Sequence, residues 1–215
     1  MRARISLRVS TFLWMDERRR AELLAWLKRY RGAIEEVAFF TGFTHPPLPL
    51  ATLEERAAIL NDIMPRFRAL GLSVGINHLS TLGHLDENPE NSLNEPWQHL
   101  VDMDGSVSKS CYCWSDPRLQ EYVGHVYAAL ATTGPEFIWV DDDVRMEHHP
   151  AGVKHGCFCD LCLGQFSAES GRAWTREGLK AAFNAGARAD RLALRRQWLE
   201  HNRTYISDVL TRIRK

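Results

Sequence analysis

The sequence has no net charge: 27 Lys and Arg balance 27 Asp and Glu. No bulk field therefore draws the chain to nucleic acid or an anionic membrane, and no basic stripe or RNA-binding pattern is present. No apolar run approaches the roughly 18 residues of a membrane span. The opening MRARISLRVSTFLWMDERRR lacks both the apolar centre and the small-residue cleavage site of a secretory signal. These absences point to a cytoplasmic protein with no membrane or nucleic-acid partner. Cysteine is scarce, at five residues. An odd number in two tight groups favours a metal site over disulfides in a reducing compartment. The segment after the first apolar run, TFLWMDE, has no glycine, so the Gly-rich phosphate loop of a nucleotide-binding doubly wound sheet is missing.

What remains is an ordinary globular composition, 45% hydrophobic and 25% charged, enough for one core. Four β-rich segments recur: Ile5–Phe12, Glu36–Thr44, Leu72–Leu79 and Phe137–Val140. Between and after them lie helical patterns. Asp16–Tyr30 carries Leu23, Leu24 and Leu27 on one face. Leu53–Leu70 has Thr52 as its expected cap and Pro65 as an expected kink or break. Asp116–Leu130 and Arg188–Arg214 complete the set. Alternating strand and helix predicts an α/β fold with a parallel sheet.

Polar residues gather behind the second, third and fourth segments: Thr44 and His45, then Asn77 and His78, then Asp141, Asp142 and Asp143. A (β/α)8 barrel builds its active site from those strand ends. The expectation is a single domain over 1–215, a TIM-barrel-type fold seen in part, with about four βα units. Long connections around the fourth strand, within 103–166, carry the cysteines. Four strands leave two sheet edges, which a second copy or a C-terminal half of the barrel would cover.

Cys157, Cys159 and Cys162 form a Cys-x-Cys-x-x-Cys run, and Cys113 lies upstream in KSCYCWSDP. Four thiolates satisfy tetrahedral Zn2+ and leave no position open, so such a site is structural. It would tie the loop after the third strand to the loop after the fourth. Cys111 is an alternative to Cys113, and His148, His149 or His155 could replace one thiolate. Adjacent aspartates repel, which raises the pKa of at least one unless a cation is near. A raised carboxyl beside an ionised one suits glycosidic cleavage. The same residues could instead cap the loop, pair with Arg145 and Lys154, or hold a divalent cation. Trp14 and Trp114 are candidates to stack on a sugar ring, whereas Trp26 and Trp198 fit helical core faces.

The segment WVDDD…GCFCDLCLGQF, with CWSDP upstream, resembles the catalytic barrel of glycoside hydrolases of the family 42 β-galactosidase type and uncharacterised bacterial glycosidase-like proteins. The resemblance spans about Trp114 to Phe166. It implies a (β/α)8 barrel, a structural zinc on Cys113, Cys157, Cys159 and Cys162, and a carbohydrate substrate. The family's Asp-Asn-Glu motif falls on Asp141, Asp142 and Asp143, which puts the acid/base at Asp143, one methylene shorter than the family's Glu. His45, Asn77, His78 and Arg145 would line the pocket with Trp14 and Trp114. The family's nucleophile comes from a seventh strand, beyond the four units found here. Two other functions fit the same residues: a non-catalytic sugar-binding or scaffold fragment, and a metal-dependent hydrolase built on Asp141, Asp143, His148 and His149.

Overall fold

The computed structural model describes residues 5–30, 32–43, 45–79, 81–83, 93–141, 144–146 and 152–215. Asp142, Asp143, His148 and His149 lie outside them, as does Thr44. The elements run β1 (Ser6–Val9), α1 (Thr11–Trp14), α2 (Glu17–Tyr30), β2 (Glu36–Phe40), α3 (Leu50–Arg68), β3 (Ser73–His78), β4 (His99–Val101), β5 (Val107–Tyr112), α4 (Pro117–Ala131), β6 (Ile138–Val140), α5 (Asp160–Ser170), α6 (Arg176–Ala182) and α7 (Arg188–Arg214).

The main sheet has four parallel strands in the order β1-β2-β3-β6. That order follows the chain, with no reversal among the described strands. A doubly wound sheet reverses at its ligand crevice. A sheet wound in one direction by right-handed crossovers places its helices on one side. The packing agrees. Phe39 of β2 meets Phe67 of α3 edge-on at 4.9 Å and Trp14 of α1 at 6.2 Å. His78 of β3 meets Tyr127 of α4 at 5.2 Å. The strand side chains on this face, Val9, Val37, Phe39, Val74 and Ile76, are all fully buried. Each contributes about 1.5–3 kcal/mol by leaving water.

The opposite face follows from the register. Arg8 pairs with Ala38, Ala38 with Gly75, and two residues on Phe40 pairs with Asn77 and Asn77 with Trp139. Alternation therefore puts Arg8, Phe40, Asn77, Trp139 and Asp141 on one side. Gly75 is required there: a Cβ would stand 2.4 Å from the Phe137 ring, which lies across it.

The sequence expectation differs at four places. Helix α3 begins at Leu50 behind Pro49, so Thr52 lies inside it rather than capping it. It also runs unbroken through Pro65, because buried Ile63, Met64 and Phe67 hold the last turn to the sheet. Trp26, expected in the core, is 47% exposed and leans on Tyr30. The antiparallel hairpin β4–β5 falls in a stretch read only as loop. No helix among the described residues is long and apolar enough to cross a membrane.

Candidate metal centre and strand-end cluster

The hairpin positions the first cysteine. Its turn is closed by Gly105 N–H donating to Asp102 O at 2.9 Å, with Gly105 at φ +92°. Cys113 follows β5 directly, and its N–H donates to Gln98 O at 2.7 Å. Asp116, the N-cap of α4, then accepts from Gln98 N–H at 2.8 Å and Arg118 N–H at 3.0 Å. The remaining cysteines come from the other side. Phe158 N–H donates to Val101 O at 2.7 Å, and buried Asp102 accepts from Lys154 N–H and His155 N–H at 3.0 and 3.2 Å. These bonds clamp the 154–158 segment against the hairpin. Cys159 caps α5 and Cys162 sits in its first turn.

The four sulfurs of Cys113, Cys157, Cys159 and Cys162 lie within 4.8 Å of one another, all buried. Cys113 Sγ is 3.3 Å from Cys162 Sγ and 3.7 Å from Cys159 Sγ. A tetrahedral ion with bonds of about 2.3 Å to sulfur separates its ligands by roughly 3.8 Å, so the set fits a metal ion. The thiols lie within hydrogen-bonding distance of one another. Burial and bonds to its neighbours push the Cys157 thiol well up. Cys162 is also raised, chiefly by its bond to Cys113. Side-chain hydrogen bonds with Cys113, Cys157 and Cys162 drive the Cys159 thiol far down. A bound cation would favour the thiolate form of all four. Cys111 is buried but is not one of the four, and His155 faces Asp102 instead, at 3.2 Å.

Sequence inspection did not single out the groups that surround these ligands. Ser115 Oγ lies 3.3 Å from Cys162 Sγ and hydrogen-bonds the Tyr205 hydroxyl, so α7 is tied to the cluster. Burial, then the nearby Cys162, pushes the Tyr205 phenol up, keeping it protonated. A three-residue window around the cysteines reaches Ser115, whereas Tyr205 is distant in sequence and gave no signal.

The strand-end residues divide between the two faces of the sheet. Asn77 Nδ2 donates to Asp141 Oδ2 at 2.7 Å, and Arg8 approaches the same oxygen at 3.7 Å. The Arg8 guanidinium also lies over Trp139 at 5.2 Å and Phe40 at 5.5 Å. Arg8 is on the first strand of the sheet and Asp141 follows the fourth, so their approach shows that this face is concave. Asn77 is fully buried, yet its Oδ1 has no partner among the described residues. His78 points the other way, bonded through Nδ1 to Thr41 Oγ1 at 2.8 Å in the layer under α4. Trp14 is buried with its indole N–H on Phe40 O, and Trp114 is buried in the core. His45 is half-buried at the end of the β2 loop. Arg145 lines a cavity beside α7. Of the sequence candidates, then, Asn77 and Asp141 come together, joined by Arg8, Phe40 and Trp139, which the sequence had not marked.

Comparison with protein-family models and with curated proteins gives no significant match to this chain.

Proposed function

We propose that the chain is a glycoside-hydrolase-like, carbohydrate-active domain whose sheet is an arc of a (β/α)8 barrel and whose four cysteines hold a structural Zn2+. The observation that carries the sugar-binding reading is the concave strand-end cluster. It combines an exposed guanidinium, a half-buried indole, a carboxylate and a buried amide with an unpartnered carbonyl oxygen. Aromatic faces and paired hydrogen-bonding groups are what a pyranose ring and its hydroxyls take. Four thiolates in tetrahedral array favour zinc over harder cations. The site is closed, so the ion's part is to pin the loops that frame the strand ends, not to touch substrate.

In this account Asp143, which falls on the acid/base position of the family the sequence resembles, is the general acid/base. Asp141, held by Asn77 and Arg8, is the fixed carboxylate of the cluster, and Asp142 accepts a sugar hydroxyl. Closing a barrel requires further strands at the outer edges of β1 and β6, from a second copy or a C-terminal half. The nucleophile or base of a complete glycosidase would come from those strands.

The test is a panel of saccharides and nitrophenyl glycosides, read by Trp139 fluorescence and by release of nitrophenol. The account expects a saturable fluorescence change that is lost in Trp139→Phe and weakened in Asp141→Asn. Any hydrolysis should disappear in Asp143→Asn. Binding without hydrolysis would favour the non-catalytic sugar-binding alternative. No response to any saccharide in the folded protein would sink the carbohydrate reading.

A further inference from the structure

A cavity of about 800 Å³ opens between α7, the α6–α7 turn and the segments 144–146 and 154–156. Its floor is apolar, with Leu199 and Ile206 of α7 facing Met146 and Phe183. Leu199 is 66% exposed. An exposed leucine needs no explanation alone, but here it lies in a concave surface of ligand-binding size.

The rim is cationic: Arg145, Lys154, Arg195 and Arg203 line this cavity. A second, of about 460 Å³, shares Arg195 and adds Arg188 and Arg191. Neither has an Asp or Glu among its described lining residues. The chain balances its charges overall, so this wall segregates one sign. Among the described residues, Arg203 is ion-paired with Glu200 at 2.7 Å, and Arg188, Arg191 and Arg195 are in no ion pair.

Arg195 is fixed where the two cavities meet. Its Nη2 donates to Phe183 O at 2.6 Å and to Asn184 Oδ1 at 3.3 Å. Arg191 donates to Gly186 O at 3.3 Å. These acceptors are neutral. They orient the guanidinium groups without cancelling their charge, and the unused N–H groups suit a carboxylate, sulfonate or phosphate.

We propose that this cavity binds a small organic anion with an apolar body. The anionic group sits on Arg195, and the hydrocarbon part lies on Leu199 and Ile206. The proposal is independent of the carbohydrate reading, because none of Arg8, Asn77, Trp139 and Asp141 lines this cavity.

The probe is 1-anilinonaphthalene-8-sulfonate, titrated into the full chain and compared with N-phenyl-1-naphthylamine, which has the same apolar body and no charge. The expected result is one sulfonate probe per chain, bound at least about tenfold more tightly than the amine and displaced by decanoate. Affinity should fall with added salt. Arg195→Gln should weaken the probe about tenfold, and Leu199→Glu should abolish binding. Arg191→Gln, which leaves the α6–α7 turn its Arg195 bonds, should weaken it less. Circular dichroism identical to the parent chain confirms that each variant folds. Equal affinity for the two probes, or binding unchanged in both Arg195→Gln and Leu199→Glu, overturns the proposal. So does displacement by an acidic amphipathic peptide but not by decanoate. A dimer that excludes the probe would make this face an interface between copies, and would overturn it as well.

Discussion

Gly83 precedes the hairpin strand that delivers Cys113, and its replacement by alanine tests how tightly that strand is set. Gly83 has φ +85°, and a Cβ built on it would stand 2.1 Å from the backbone oxygen of Ser110 and 3.0 Å from Cys111 Cα. The obstruction is backbone, so no rotamer change relieves it. The left-handed conformation costs an alanine roughly 1–2 kcal/mol. Moving β5 away would also break the Tyr112 N–H bond to Leu82 O, 2.8 Å long, for about 1 kcal/mol more. The sum is about 2–3 kcal/mol, before any loss of metal affinity from a displaced Cys113. For a chain of this length that is roughly a 4–12 °C fall in Tm. Gly134 supplies the control: its φ is +58° and nothing lies within 4 Å of its Cβ position. Gly134→Ala therefore carries the conformational term alone, roughly 1–2 kcal/mol. Urea unfolding of both variants separates strain from collision. If Gly83→Ala costs no more than Gly134→Ala, the close approach to Ser110 is wrong, and with it the placement of the hairpin.

Two further perturbations probe the frame. Burial raises the Asp116 carboxyl, but the Arg118 side chain and the N–H groups of Gln98 and Arg118 outweigh it and hold the carboxyl below its usual value. Its stabilising contribution is then complete above about pH 4, the ordinary Asp value, and is lost as pH falls through the lower folded value. Asp116→Ala should cost about 2 kcal/mol at neutral pH, from the lost cap and an orphaned Gln98 N–H. Urea unfolding below pH 4 should show the difference from the parent chain shrinking. Gly75→Val should drive the Phe137 ring off β3. Adding Phe137→Ala should recover part of the loss, with a coupling energy of about 1 kcal/mol or more in a double-mutant cycle.

The parallel sheet was legible because its strands are unmixed apolar runs: EVAFF and LSVGINH need no partner to read as buried strands. Helix α7 was legible for a similar reason, since its apolar positions recur over Arg188–Arg214, the range observed. The hairpin was not. VSKSCY puts Ser108, Ser110 and Tyr112 on its buried side and Val107 and Lys109 on its exposed side, so its burial does not follow its polarity. The start of α3 was misplaced because Thr52 offered a side-chain cap, while the chain uses the fixed φ of Pro49. At the candidate site, spacing alone marked the cysteines, since thiolates so close together have few other uses. Their partner Tyr205 arrives from the far end of the chain. Arg8 looked like one charge among many. Only the curvature that carries it from β1 toward Asp141 gives it a place in the cluster. Trp14 and Trp114 show the converse: an aromatic residue near a strand end in sequence can turn its ring into the core.

The measurement that bears most directly on this account is metal content per chain, by mass spectrometry of the protein purified without chelators, with Cys159→Ser beside it. One zinc per chain, absent from Cys159→Ser and removed from the parent chain by a chelator with a lower Tm, is the predicted result. Purified, folded protein that carries no metal, takes up none when zinc is supplied and keeps its Tm with chelator would contradict it.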